Sequence, residues 1–274
     1  MKNILIIITL FIYLAGCSEK TARKNKSLSP NDNKDEGIQS NSLFSEIEST
    51  YGVKIIMKAT PELFHPSWRL PPINAKIVQI DENEVLRYPM ILKNVLSKYP
   101  KKVLLKNLKK IVLAKSLSFY GLQYGGTYST YTVYLTSKGI SRGYTNDYLI
   151  NSIHHEFSSI LFRNYNFPKE KWKSLNLKGF KYTNNSIDGG IEALKAGKAG
   201  LIGSHLWYKQ GFLAEYSISA LEEDFNLYSA SILTNPIHIK KLAKKYTLIK
   251  KKLDLWLSFY NSIDINFKKN IFNK

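Results

Sequence analysis

The chain has 274 residues, 44% of them hydrophobic, and carries 40 Lys and Arg against 21 Asp and Glu, a formal net charge of +19. That length and apolar content support a proper core in one large domain or two small ones. The single cysteine, Cys17, excludes a disulfide framework. The lysines are scattered, with short runs such as Lys250-Lys251-Lys252, and no RNA-binding or zinc-knuckle pattern occurs, so a solvated basic surface is expected and not a nucleic-acid site.

Met1-Lys2-Asn3 is a short basic start, Ile4 to Tyr13 is an apolar run, and Leu14-Ala15-Gly16-Cys17 closes it with small residues. The run is too short to span a bilayer comfortably. Leu-Ala-Gly-Cys resembles the bacterial lipobox, in which the cysteine becomes the lipidated first residue of the mature protein. The expectation is a signal peptide over residues 1–16, acylation of Cys17, and membrane attachment without a transmembrane helix. Residues 17–41, rich in Ser, Asn, Lys and Asp, bury almost nothing and are expected to be a disordered tether. The domain is expected over residues 42–274.

Ser42 to Ser49 predicts a short helix and Val53 to Met57 a strand. Phe64-His65-Pro66-Ser67-Trp68 is a loop with an aromatic anchor, and its histidine is expected at the surface or in packing. Ala75 to Ile80 predicts a strand. Asp81 with Glu84 has the pattern of a capping box, before a helix toward Lys98 that Pro89 must kink or restart. Lys110 to Ala114 is a β-branched strand. Gly121 to Gly126 turns the chain into Thr127 to Thr136, whose alternation predicts one strand with a solvated face. Its tyrosines could stack on bases, but the period of two favours sheet packing.

Asn146 to Phe162 predicts one helix, capped by Thr145 or Asn146. Leu149, Ile150, Ile153, Phe157, Ile160 and Leu161 form its apolar face. Tyr148, Ser152, His155, Ser159 and Phe162 form a second, mostly polar stripe suited to lining a cleft. The stripe contains His155-Glu156-Phe157-Ser158-Ser159. The zinc-hydrolase helix has the pattern H-E-x-x-H: two imidazoles one turn apart hold the metal, and the Glu polarises the attacking water. Here the first His and the Glu are present, and Ser159 stands in place of the second His. A serine hydroxyl is a poor zinc ligand.

Asn164 to Gln210 is the least legible stretch, with a helix expected near Ile191 to Ala196 and His205 as a hydrogen-bonding residue. Ser219 and Glu222 have the pattern of a capping box for a helix burying Leu221, Phe225, Tyr228 and Ile232. Asn235-Pro236 ends it. Ile239, Leu242, Tyr246, Ile249, Leu253, Trp256 and Tyr260 then predict one long final helix with a lysine-rich back. Such a helix could lie on an anionic membrane, but its aromatic seam favours core packing.

In this order the motifs resemble the zinc-binding metallopeptidase lipoproteins that accompany outer-membrane nutrient-import systems in Bacteroidetes-type bacteria, on the gluzincin side of the zincins. The resemblance runs from about Val53 to the C-terminus. It includes the lipobox, the His-Glu helix followed by Arg163-Asn164-Tyr165-Asn166-Phe167-Pro168, then Gly211-Phe212, Tyr216 and Glu223-Asp224-Phe225. It implies an α+β, zincin-like fold: a small mixed sheet, the His155 helix and a helical C-terminal half. It implies His155 as first zinc ligand, Glu156 as general base and Tyr216 as an oxyanion-steadying group; a packed tyrosine explains Tyr216 equally well. The family commonly has Glu-Asp-Phe-Ala-Glu where this chain has Glu223-Asp224-Phe225-Asn226-Leu227. By that match the third-ligand Glu is Leu227, and Glu223 or Asp224 is left to reach in. Zinc is expected to be weak or absent.

Three functions are compatible with this pattern: an extracytoplasmic, lipid-anchored metallopeptidase-like protein with reduced or lost catalysis, beside import-system proteins in the outer membrane; a lipoprotein whose inherited cleft holds a peptide or polymer ligand; and a hydrolase with an altered ligand set.

Overall fold

The computed structural model describes residues 42–184 and 189–267; the expected signal peptide, Cys17 and the tether lie outside them. In chain order the elements are α1 (42–51), β1 (Lys54–Ile56), β2 (Lys76–Gln79), α2 (Glu82–Val85), α3 (Tyr88–Leu96), α4 (Lys101–Asn107), β3 (Lys110–Phe119), β4 (Leu122–Tyr124), β5 (Gly126–Tyr128) and β6 (Thr132–Thr136). There follow α5 (Asn146–Asn164), α6 (Lys169–Ser174), α7 (Gly189–Lys195), α8 (His205–Lys209), α9 (Leu221–Thr234), α10 (Pro236–Lys245) and α11 (Thr247–Ile263). The architecture is α+β, with the strands in the first half and the helices dominant in the second.

The sheet is mixed, in the order β1-β3-β6-β5, with β2 and β4 paired to β3. The first half of β3 runs parallel to β1 and β6. Its second half pairs antiparallel with β2 and β4. β3 is longer than the run Lys110 to Ala114, because Ser116, Leu117, Ser118 and Phe119 continue the alternation with Leu117 and Phe119 buried. The Thr- and Tyr-rich stretch is not one strand. It folds back on itself as a β5–β6 hairpin, closed by the Ser129 amide donating to the Thr132 carbonyl. β5 is thereby the edge strand and passes beside α5.

Three expected helix details are also corrected, and of the two alternatives at Pro89 the restart is the one observed. Asp81 makes no cap: it pairs with Lys115, while Glu84 pairs with Arg87 and accepts from Ser137. Pro89 sits in the first turn of α3, so the helix restarts there. Ser219 caps nothing, since its hydroxyl donates to the Tyr216 carbonyl and Ala220 holds the N-cap position. The single long final helix breaks at Tyr246, which takes extended backbone between α10 and α11. Its hydroxyl bonds His205 Nδ1 at 2.6 Å. The seam on α11 is core, with Ile249, Trp256 and Tyr260 fully buried.

α5 is the central helix. The Thr145 hydroxyl accepts from the Tyr148 amide at its start. Leu149, Ile153, Phe157, Ile160 and Leu161 are buried as the periodicity predicts. The second stripe does not stay polar along its length. Phe162 joins Phe167 and Phe225 in the core, and Ser158 and Ser159 are buried against α9. Two serines in succession let α9 approach α5 closely there.

Candidate functional site

The site lies where the middle of α5, the first turn of α9, the edge strand β5 and the 3₁₀ turn Glu215–Ile218 meet. His155 and Glu156 come from α5, Glu223 from α9 and Tyr216 from the turn. His155 Nε2 is 3.0 Å from Glu223 Oε2, with both side chains mostly buried. The Tyr216 ring stacks on His155 with an interplanar angle of 23°, and its hydroxyl lies with Glu223 Oε1 over Gly190. Two glycines permit this crowding. A Cβ on Gly126 would lie 2.9 Å from Glu156 Oε1, and one on Gly190 would lie 2.4 Å from the Tyr216 hydroxyl and 3.1 Å from Glu223 Oε1.

Asp224 does not join the site. Its Oδ2 accepts from Lys252 at 2.6 Å, from Trp172 Nε1 at 2.8 Å and from the Tyr182 hydroxyl at 2.8 Å, in a fully buried core cluster. Adjacent helix residues diverge by about 100°, so Glu223 facing His155 sends Asp224 elsewhere. The expected choice between Glu223 and Asp224 therefore falls to Glu223. The carboxylate that reaches His155 lies one turn before Leu227, and Leu227 is only part-buried. Measured by what touches His155, the ligand set of a zincin lacks one member here, the imidazole at position 159.

Position 159 is filled by a hydrogen-bond network. Ser159 Oγ accepts from Asn226 Nδ2 at 2.7 Å, and the Ser158 hydroxyl is 2.7 Å from Asn226 Oδ1. Glu222 closes the other side: it accepts a short hydrogen bond from the Tyr128 hydroxyl and pairs with Arg163 at 3.2 Å. Sequence reasoning missed Asn226 altogether and gave Glu222 to a helix cap. The signal for Glu222 was the acidic start Glu222-Glu223-Asp224, where one helical turn points three carboxylates in three directions. His65 is exposed beside Ser67 and His205 bonds Tyr246, so neither contributes to this group.

The electrostatics follow from burial. Burial raises the Glu156 carboxyl to about 8, against the pull of His155 and with the push of Glu223 and Glu222. Burial opposes charge on His155, but the bond to Glu223 and the nearby carboxyls of Glu223, Glu156 and Glu222 outweigh it and raise the imidazole to about 8. Burial also raises Glu222 against Arg163 and Tyr128, and holds Tyr216 protonated, reinforced by Glu223. The cluster therefore retains protons near neutral pH.

The sequence profile of a family described as putative zinc-binding metallo-peptidase matches residues 46–268. The chain belongs to that family. A solved structure described as a putative zinc-binding metallo-peptidase from Bacteroides caccae shares 18% identity, covers 84% of this chain and 87% of its own, and superposes with a TM-score of 0.51. That likeness shows the fold, a zincin-like α+β arrangement. No curated protein matches significantly. The zinc that the family description names does not fit the residues of this member. His155 Nε2 and Glu223 Oε2, 3.0 Å apart, have the spacing of two donors to one ion, but they are only two. The residue one turn on is a neutral hydroxyl already bonded to Asn226. The described residues hold no group of three or more His, Cys, Asp or Glu placed to hold a metal. What the cluster can do with its own atoms is hold and exchange protons: Glu223 orients the His155 imidazole, and Glu156 lies beside them as a neutral acid.

Proposed function

We propose that this member of the zinc-binding metallo-peptidase family is a lipid-anchored, extracytoplasmic protein whose metal-dependent catalysis is reduced or lost. The observation that carries the proposal is the Asn226 side-chain amide bonded to Ser159 Oγ at 2.7 Å, at the position of the second imidazole. His155 Nε2 and Glu223 Oε2 face each other at 3.0 Å as two donors, but the third position offers only a neutral hydroxyl already bonded to Asn226. The Glu156-to-water step of a zinc hydrolase has no metal-bound water to act on without that third donor.

The anchoring part rests on the N-terminal pattern, with Cys17 as the acylated residue after a basic start and a short apolar run. No helix among the described residues is long and apolar enough to cross a membrane. Placement in the outer membrane, beside the proteins of a nutrient-import system, rests on the resemblance of the whole motif order.

The deciding experiment is zinc stoichiometry on dialysed protein, wild type against His155→Ala, with hydrolysis of unstructured peptides followed in parallel. The expected result is well under one zinc per chain, unaltered by His155→Ala, and no peptide cleavage. Near-stoichiometric zinc that His155→Ala removes would overturn the proposal and make the protein a hydrolase with an altered ligand set.

A further inference from the structure

The segment between α7 and α8, together with α8 itself, displays three large apolar side chains to solvent. Leu201, Ile202 and Leu206 are 56%, 49% and 63% exposed. Their backbone is held from below. The Gly200 carbonyl accepts from the Tyr216 amide at 3.0 Å, and a Cβ on Gly203 would lie 2.9 Å from the Leu213 carbonyl oxygen. The inner side of α8 is also committed, with His205 and Tyr208 packed on Tyr246. The three apolar side chains therefore cannot fold inward without breaking those contacts, and about half or more of each stays open to solvent.

Lysines frame that surface. Lys198 precedes the apolar residues and Lys209 follows them, both exposed. From the neighbouring helix, Lys245 lies over the ring of Tyr246, on which α8 docks, and Lys244 is exposed beside it. Along the chain the nearest acidic groups are Glu192, paired with Lys195, and Glu215 beneath Gly200. Apolar side chains that dip between acyl chains, ringed by lysines that meet the headgroups, are the composition of an interfacial membrane contact. Lysine attraction to anionic lipid is the long-range part of it, and the net charge of +19 acts in the same direction.

We propose that Leu201, Ile202 and Leu206, with the lysines around them, form a docking surface for an anionic lipid bilayer. The surface would set how the domain sits on the membrane. Its strength in the cell rests on the lipidation proposed above. Cys17 lies 25 residues before Ser42, so an acyl anchor there keeps the domain within roughly 85 Å of the bilayer even at full extension. A weak contact then becomes intramolecular.

The test uses the full chain reconstituted in vesicles whose phospholipids carry bromine in the acyl chains, with tryptophan fluorescence as the readout. Of the four tryptophans, Trp172 and Trp256 are fully buried, Trp68 is half-buried against Phe64, Phe119 and Tyr134, and Trp207 is half-buried next to Leu206. Phosphatidylglycerol vesicles are expected to quench the emission by about a quarter, the share of one tryptophan in four, and pure phosphatidylcholine vesicles to leave it unchanged. Trp207→Phe should abolish the quenching. So should Leu201→Ser, Ile202→Ser and Leu206→Ser together, and Lys209→Glu, Lys244→Glu and Lys245→Glu together should weaken it. Flotation of the same samples reports the acyl anchor separately. Flotation without quenching would keep the anchor and overturn the docking surface. Quenching that persists in the triple serine variant would overturn it equally.

Discussion

Asn226 donates its side-chain amide to Ser159 across 2.7 Å, and both residues are all but fully buried. The pair occupies the space that a second zinc-binding imidazole on α5 would need. Ser159→His alone is therefore expected to meet the Asn226 amide and cost about 1–3 kcal/mol of stability through overpacking. Ser159→His with Asn226→Ser makes room. With His155 and Glu223 already facing each other, the double variant is expected to retain near-stoichiometric zinc after dialysis, as two imidazoles and one carboxylate suit that ion. A folded double variant that stays zinc-free would refute this account of the site.

Cys17→Ala is expected to abolish acylation and leave the chain unprocessed or released from the membrane fraction. Fractionation and intact mass measure both. A variant that remains membrane-bound at mature size would show that the N-terminal pattern is not a lipobox.

Lys252 and Asp224 form a buried ion pair at 2.6 Å that ties α11 to α9. The ammonium also lies 4.2 Å from the Phe212 ring centroid and 5.4 Å from that of Trp172. Lys252→Met leaves a buried carboxylate without its counter-charge, and the expected loss is about 3–5 kcal/mol. Adding Asp224→Leu should recover part of it. Recovery is incomplete because Trp172 Nε1 and the Tyr182 hydroxyl then lose their acceptor. Denaturant titration of the single and double variants measures the difference.

Trp256→Ala is expected to cost about 3–5 kcal/mol. The side chain is fully buried, stacks on Tyr260 at 3.8 Å and donates to Ser229 at 2.8 Å. An unchanged melting temperature would return α11 to the surface role that its lysines alone suggested.

The α5 helix and the seams of α9 and α11 were legible because buried faces impose the 3.6-residue period on long segments. Short features were not. Asp81 and Ser219 have the residue types of caps, but the first found a tertiary partner in Lys115 and the second a different local one, the Tyr216 carbonyl three residues back. The Tyr246 break was hidden because the apolar spacing of α10 runs into that of α11 without interruption. α4 was missed altogether: seven residues carry too little period to stand out. At the site, the His155-Glu156 pair and the absent second imidazole were plain in the sequence. Which acid of Glu222, Glu223 and Asp224 faces His155 was not, because that depends on the rotation of α9 against α5.

The proton-holding cluster makes stability depend on pH with a sign that can be worked out. His155 is raised from 6.5 to about 8. Its contribution is fully present below about pH 6.5 and is lost as pH rises through about 8. Glu156 is raised from 4.5 to about 8, so the folded chain keeps a proton that the unfolded chain has released. Between those values each unit of rising pH costs about 1.4 kcal/mol for that proton. His154 acts oppositely: burial first, then Lys98, lower it from 6.5 to about 3. It resists protonation next to Tyr99, and its penalty grows as pH falls below 6.5. The melting temperature is therefore expected to rise as pH is lowered from 8.5 to 6.5 and to level off between 6.5 and 4.5, where Glu156 and His154 offset each other. Glu156→Gln should flatten the upper part of that profile and uncover a fall below pH 6.5. A wild-type melting temperature that climbs steadily from pH 6.5 to 8.5 would show that Glu156 is ionised in the fold, and the neutral-acid description of the cluster would fail.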